Sequence, residues 1–240
     1  MLQGTVSELV ERGAAELHIK LPPGAGASFE RYYKFLNTES RKFNITAITG
    51  AEETVRMHFL DSLAILGVAE FAESRVIDIG SGAGFPGLPL KLAEPTMSLT
   101  MIDATAKRVE FLKNLCTELD AQAVCMHARA EEIAHKCEIR EKYDFAISRA
   151  VARMNVLCEL CLPFVQVGGL FLALKSVNCE DEIDESLSAA GILGAEFIGT
   201  IDYTIPETDI KHRVVALCKT SETPAKYPRR FAKIEREPLC

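Results

Sequence analysis

The sequence predicts an α/β fold: a mostly parallel sheet with helices on both faces, a terminal antiparallel hairpin and an N-terminal helical extension. Three observations predict it. From Arg75 onward, short apolar runs alternate with segments of helical period, the pattern of repeated strand–helix units. A glycine-rich turn follows the first of those runs directly and opens a helix. The alternation ends in two apolar stretches, Ala195–Tyr203 and His212–Lys219, that suit an antiparallel pair.

Taken in order, the first seventy residues read as helices broken by Leu21-Pro22-Pro23-Gly24-Ala25-Gly26-Ala27-Ser28, with Ser28 placed to cap the helix that carries Arg31 to Leu36. A second break spans Asn44–Gly50, and Glu52–Leu66 then carries Val55, Phe59, Leu63 and Leu66 at helical spacing. Arg75-Val76-Ile77-Asp78-Ile79 reads as a buried parallel strand. Pro86–Ala93 follows as a helix, with Pro86 suited to its first turn. Leu99–Asp103 is a strand and Thr105–Leu119 a helix with Val109, Leu112 and Cys116 on one face. Strands are expected at Ala123–His127, Tyr143–Ser148 and Leu170–Lys175, and helices at Ala130–Cys137, Asn155–Leu162 and Glu180–Ala190. The resulting organisation is a helical extension over 1–72, a sheet domain over 73–220 and a basic tail over 221–240.

Composition narrows the classes of function. At 48% hydrophobic and 25% charged, the 240 residues suit one globular core with an appendage. The chain has no apolar run of membrane-spanning length, and its first twenty residues carry acids rather than a signal-peptide core, so a cytoplasmic protein without a membrane partner is expected. Eight cysteines are scattered; Cys158 and Cys161 form a CxxC flanked by Leu157, Leu160 and Leu162, which reads as core packing, and no metal site is expected. The net charge of −7 opposes nucleic-acid binding as a sum, but the segment from Ile205 to Cys240 carries +3, leaving −10 on the remainder. A basic tail of that kind reads most simply as solvated.

The turn Asp78-Ile79-Gly80-Ser81-Gly82-Ala83-Gly84-Phe85-Pro86-Gly87 lies after a strand and opens a helix, the context of a nucleotide-binding loop. Two cofactors compete for it. Gly82, Gly84 and Gly87 meet the G-x-G-x-x-G spacing of a dinucleotide site, whereas Asp78, Gly80, Gly82 and Gly84 meet D-x-G-x-G-x-G, which resembles the first motif of S-adenosylmethionine methyltransferases. Asp103, ending the second strand, suits ribose hydroxyls in either case. An NAD enzyme needs a substrate domain carrying chemistry, and only a hairpin and a tail follow this sheet. Methylation of an exocyclic amine commonly uses an Asn/Asp-Pro-Pro-Tyr-type motif after the fourth strand, where this chain reads Ile147-Ser148-Arg149-Ala150-Val151-Ala152; cytosine C-5 chemistry needs a nucleophilic Cys in a Pro-Cys setting, which Cys158 and Cys161 lack. A ring nitrogen with a free lone pair, such as guanine N-7, needs neither device, so positioning and electrostatics suffice and no general base is expected.

The chain resembles the ribosomal RNA small-subunit methyltransferase G family, also called the glucose-inhibited division protein B family. The resemblance rests on Phe43-Asn44-Ile45-Thr46, His58-Phe59-Leu60-Asp61-Ser62, the glycine-rich turn through Phe85-Pro86-Gly87, Lys107-Arg108-Val109-Glu110-Phe111-Leu112, Ser148-Arg149-Ala150 and Lys175, in order over roughly residues 30–220. It implies a Rossmann-like class I methyltransferase fold that uses S-adenosyl-L-methionine to methylate N-7 of one guanine in the decoding-region loop of 16S rRNA, free or in the small ribosomal subunit, with the chain acting as a monomer. Carried over by motif, Gly80, Gly82 and Phe85 line the cofactor site, Asp103 takes the ribose, Ala130 and Glu131 flank the adenine, and Arg149 lies beside them. Asn44, His58, Arg149 and Lys175 fall on the substrate side. Each has a plainer reading: Asn44 as a helix cap, His58 as a helix-face histidine, Arg149 as the structural partner of an acid such as Glu131, Lys175 as a snorkelling side chain, and His212 as the start of the last strand. Where relatives with a similar Tyr227-Pro228-Arg229-Arg230 segment tend to continue Gly-x-Pro, this chain has Phe231-Ala232-Lys233-Ile234-Glu235. A non-catalytic RNA-binding or assembly factor retaining the fold, and an NAD(P)-dependent oxidoreductase, are the competing readings.

Overall fold

The structure, a computed structural model, describes residues 4–43 and 45–240. Helix α1 (Val6–Glu16) begins at Thr5, whose hydroxyl accepts from the Glu8 amide while the Glu8 carboxylate accepts from the Thr5 amide, a reciprocal capping box. Helix α2 (Ala25–Phe43) starts earlier than Ser28 suggests, and the Ser28 amide donates to Gly24 O inside its first turn. Tertiary packing explains the difference. A Cβ on Gly26 would stand 2.2 Å from Ser7 Oγ and Glu11 Oε1, so the glycine-rich start of α2 lies directly on α1, where the sequence suggested a loop.

The expected Glu52–Leu66 helix is one continuous helical run with changes of pitch: α3 (Ala51–Thr54), a π-helical stretch Val55–Leu60, α4 (Asp61–Leu63) and a 3₁₀ turn Ala64–Gly67. In the widened segment the Asp61 amide reaches Arg56 O, five residues back. The alternating units then follow as β1 (Arg75–Ile79), α5 (Gly87–Ala93), β2 (Ser98–Asp103), α6 (Ala106–Glu118), β3 (Ala123–His127), α7 (Ala130–Ile133), β4 (Tyr143–Arg149), α8 (Met154–Cys161), β5 (Val165–Ser176), α9 (Glu180–Ile192), β6 (Ala195–Thr204), β7 (Lys211–Lys219) and α10 (Phe231–Arg236).

The seven strands run in the order β3-β2-β1-β4-β5-β7-β6. Strands β1 to β5 pair in parallel, and β7 inserts antiparallel between β5 and β6. Alternate strand residues feed two apolar layers. Val76, Met101 and Val214 join α1, α2, α5 and α6 on one face, while Ile77, Ile102 and Val215 join α7, α8, α9 and Ile234 on the other. Because β1 passes outward to β2 on one side and has β4 on the other, a crevice opens at the carboxyl ends of these strands.

The tail is not a solvated arm. Arg229 clamps the fully buried Glu159 on α8 through its amide (2.7 Å) and guanidinium (2.6 and 2.9 Å), and Tyr227 and Ile234 are buried. Arg140 donates to Thr223 O and Tyr227 O, and His135 Nε2 to Pro228 O. Charge composition alone could not reveal this, because the acid that neutralises Arg229 lies seventy residues away in sequence. Cys158 and Cys161 are both buried in the second apolar layer, where desolvation pushes the Cys158 thiol up to about 12. Among the described residues no helix is long and apolar enough to cross a membrane.

Candidate functional site

The glycine-rich turn is tied to the neighbouring strand by its backbone. The Gly80 and Ser81 amides both donate to Ile102 O, and Asp103 accepts from the Gly82 amide at 3.1 Å and the Thr105 amide at 2.8 Å. Asp103 is thus fixed and nearly buried, with Arg108 at 3.5 Å, while its oxygens retain lone pairs for further donors. Gly80 adopts φ +76°, and a Cβ there would stand 2.5 Å from Val151 Cγ2. Beneath the turn, Asp78 Oδ2 accepts from the Gly87 amide at 2.9 Å, and a Cβ on Gly87 would stand 2.7 Å from that oxygen. Burial pushes the Asp78 carboxyl up to about 7, and its Oδ1 has no hydrogen-bond partner among the described residues. Gly84 faces Tyr32, whose hydroxyl donates to Ala83 O. Gly84 and Gly87, on which the dinucleotide spacing depended, therefore serve helix–turn packing.

Two cavities meet at this end of the sheet. The first, of about 310 Å³, is lined by Gly80, Asp103, Ala130 and Glu131 together with Val151 and Phe231. That volume sits at the low end of the range for small-molecule sites. Its polar part, Asp103 and the Thr105 and Arg108 flank, suits sugar hydroxyls, and its apolar part suits a flat ring, so the residues present fit a nucleoside cofactor. The second, of about 380 Å³, is lined by His58, Asp61, Arg149, Lys175 and His212. Ala150, held at φ +56° just after β4, borders both.

Of the residues the sequence singled out, Gly80, Asp103, Ala130 and Glu131 come together around the first cavity, and His58, Arg149 and Lys175 around the second. The Gly82 amide is engaged by Asp103. Phe85 is buried and is not among the residues lining either cavity; it is stacked on Tyr32 (centroids 5.4 Å) and His58 (4.5 Å), with the Arg149 guanidinium 5.0 Å above its ring. Asn44 lies outside the described residues.

Arg149 does not pair with Glu131, whose cationic neighbour is Arg129 at 3.8 Å. Its partner is Asp61, at 2.7 Å, and it also donates to Met57 O at 3.0 Å. Asp61 is almost fully buried and also accepts from His212 Nδ1 (2.6 Å) and the Tyr203 hydroxyl (2.7 Å). Burial alone would raise its pKa; the His212 hydrogen bond, the Arg149 charge and the Tyr203 hydroxyl outweigh that and hold the carboxylate below its ordinary value. His58 is pushed down to about 4, first by desolvation and then by the Arg149 charge. His58 Nδ1 stands 3.1 Å from Met57 O and 3.2 Å from an Arg149 nitrogen, and Nε2 lies 3.0 Å from Thr46 Oγ1. Lys175 donates to Ala152 O and Glu182, both at 2.7 Å, which anchors its ammonium at the rim.

Sequence reasoning missed Asp61, Tyr203 and His212 as members of the site. Asp61 stands one helical turn after His58, so spacing could have found it. Tyr203 and His212 are partners in the β6–β7 register and reach Asp61 only through the antiparallel insertion of β7.

A family model described as rRNA small subunit methyltransferase G matches residues 26–200. The ribosomal RNA small subunit methyltransferase G of Alkaliphilus oremlandii is 39% identical over 236 residues, covering 98% of this chain and 99% of that protein. The protein of the same name from Clostridium beijerinckii is 39% identical over 234 residues, covering 97% and 98%. Among solved structures, M. jannaschii TYW2 in complex with AdoMet superposes with a TM-score of 0.51 at 13% identity, covering 72% of this chain and 77% of that one, a likeness of fold.

Proposed function

We propose a reaction for this chain from one premise: it belongs to the rRNA small subunit methyltransferase G family. It is an S-adenosylmethionine-dependent methyltransferase of 16S rRNA with a Rossmann-like class I fold. The finer reading is N-7 methylation of one guanine in the decoding-region loop, by a monomer working in the cytoplasm. The observation that carries the proposal is the junction at Ala150, where a crevice suited to a nucleoside opens beside a pocket rimmed by Arg149, Lys175 and His58.

When bound, S-adenosylmethionine supplies an electrophilic methyl group on a sulfonium. In this reading Gly80 lets the backbone approach it, Asp103 accepts the ribose hydroxyls, and Ala130 and Glu131 flank the adenine. In this reading the sheet domain of 73–220 holds the cofactor, and the extension of 1–72 contributes His58 and Asp61 to the RNA side. Guanine N-7 carries a lone pair and loses no proton on alkylation, so the residues around it have only to orient the base and exclude water. Arg149 is preorganised for that work by Asp61, Met57 O and the Phe85 face, and its charge favours an RNA segment beside the otherwise acidic chain. His58, neutral at physiological pH and held between Met57 O, Arg149 and Thr46, is an orienting group.

The test is the modification profile of 16S rRNA from cells lacking the protein, read by nuclease digestion and mass spectrometry. Loss of a single 7-methylguanosine, restored by the gene, is the expected result. An unchanged profile would overturn the proposal in favour of a non-catalytic binding factor.

A further inference from the structure

The cofactor crevice has one wall that the strand–helix units do not supply. Phe231 opens α10 in the C-terminal segment and, among the residues lining the crevice, carries the aromatic ring. It packs on the apolar layer that contains Ile102, Ala130 and Leu160, so an apolar part of the crevice lining carries a flat ring. Phe231 itself is only half-buried. A half-buried aromatic ring lining a nucleoside-sized cavity is a stacking platform.

Its placement is fastened from both sides. Two residues before it, Arg229 holds Glu159 by four contacts of 2.6 to 3.1 Å, and Leu160, the next residue on α8, lines the same crevice. Three residues after it, Ile234 is fully buried in the second apolar layer. His135 Nε2 at 2.9 Å from Pro228 O and Arg140 at 3.0 Å from Tyr227 O fix the approach.

Resting on the proposed function above, we infer that Phe231 is a cofactor-binding residue: it forms the stacking wall for the adenine ring, so that the C-terminal segment, fastened through Arg229 and Glu159, completes the S-adenosylmethionine site. The ligand class it recognises is a purine nucleoside.

The chain contains no tryptophan, so Phe231→Trp installs a sole indole reporter in the crevice wall. Titration of that variant with S-adenosylhomocysteine is expected to quench or shift its emission, adenosine is expected to do the same, and homocysteine is not. In calorimetric titration, Phe231→Ala is expected to weaken S-adenosylhomocysteine about tenfold, in line with the loss of one base–aromatic stack, with Phe231→Leu in between. Equal affinities for wild type and Phe231→Ala would overturn the inference. So would Trp emission unmoved at saturating S-adenosylhomocysteine, which keeps the test decisive if the alanine variant folds poorly. Failure of the wild-type protein itself to bind S-adenosylhomocysteine would instead remove the cofactor reading, and this inference with it.

Discussion

Replacing Asp61 by asparagine is expected to loosen the RNA-side cavity while leaving the cofactor crevice intact. The side chain is 3% exposed and joins four elements, through Arg149 at the end of β4, Tyr203 on β6 and His212 on β7 to its own helix. Asparagine keeps the shape and one acceptor oxygen, so the Tyr203 and His212 contacts have a partner, but an amide NH₂ would face the Arg149 guanidinium. Breaking a buried pair from one side costs about 3–5 kcal/mol. Arg149 retains the Met57 carbonyl and the Phe85 face, so about 3 kcal/mol is the expected loss. For a chain of this size that corresponds to a fall in Tm of roughly 6–12 °C. Calorimetry and urea unfolding near pH 7 would measure it, together with the double variant Asp61→Asn/Arg149→Met, in which the stranded charge is gone and part of the loss should return. The kcat for rRNA should fall while the Kd for S-adenosylhomocysteine stays unchanged, since Asp61 lines only the second cavity. A drop below about 2 °C, with the same drop in the Arg149→Met background, would refute the reasoning.

Three further outcomes are expected. Gly80→Val should abolish cofactor binding, because the position has φ +76° and its Cβ would press on Val151; calorimetric binding at wild-type affinity would contradict the placement. The pH dependence should show two opposed slopes. His58, lowered to about 4 from 6.5, stabilises the fold above pH 6.5 and loses that stability as pH falls toward 4, whereas Asp78, raised to about 7 from 3.8, stabilises it below pH 3.8 and loses that as pH rises through 7. Each is on the order of 3 kcal/mol, so between about pH 4 and 6.5 they nearly cancel. Urea midpoints should therefore fall with rising pH in His58→Gln and fall with decreasing pH in Asp78→Asn; identical profiles in both variants would exclude these assignments. Arg229→Met should cost about 3–5 kcal/mol by stranding the buried Glu159, and Glu159→Gln in the same chain should recover much of it; a thermal midpoint equal to wild type would show that the tail contributes no stability.

Local pattern carried the architecture a long way. A period of two against 3.6 marks strands and helices wherever one face is buried, and a strand running into glycines that open a helix announces a crevice at its carboxyl end, so Gly80 and Asp103 were legible as neighbours from pattern, while Ala130 and Glu131 were placed there by the family resemblance. What pattern cannot carry is pairing at a distance, since burial and hydrogen bonding between remote segments depend on where the sheet brings them. Arg149 offered no sign that its carboxylate would be Asp61 rather than Glu131, nor His212 that it starts a strand inserted between two others and so reaches Asp61. Ser28 looked like a cap because its helix was read without α1 against it. The tail looked solvated because charge counts ignore partners, and only the fold sets Arg229 on Glu159 and Phe231 at the crevice. Sequence determined which segments are regular and which faces are apolar, because those follow from each residue's own geometry and hydration. The tertiary structure alone decided which charges neutralise one another and which side chains share a cavity, because both depend on distances that chain order does not encode.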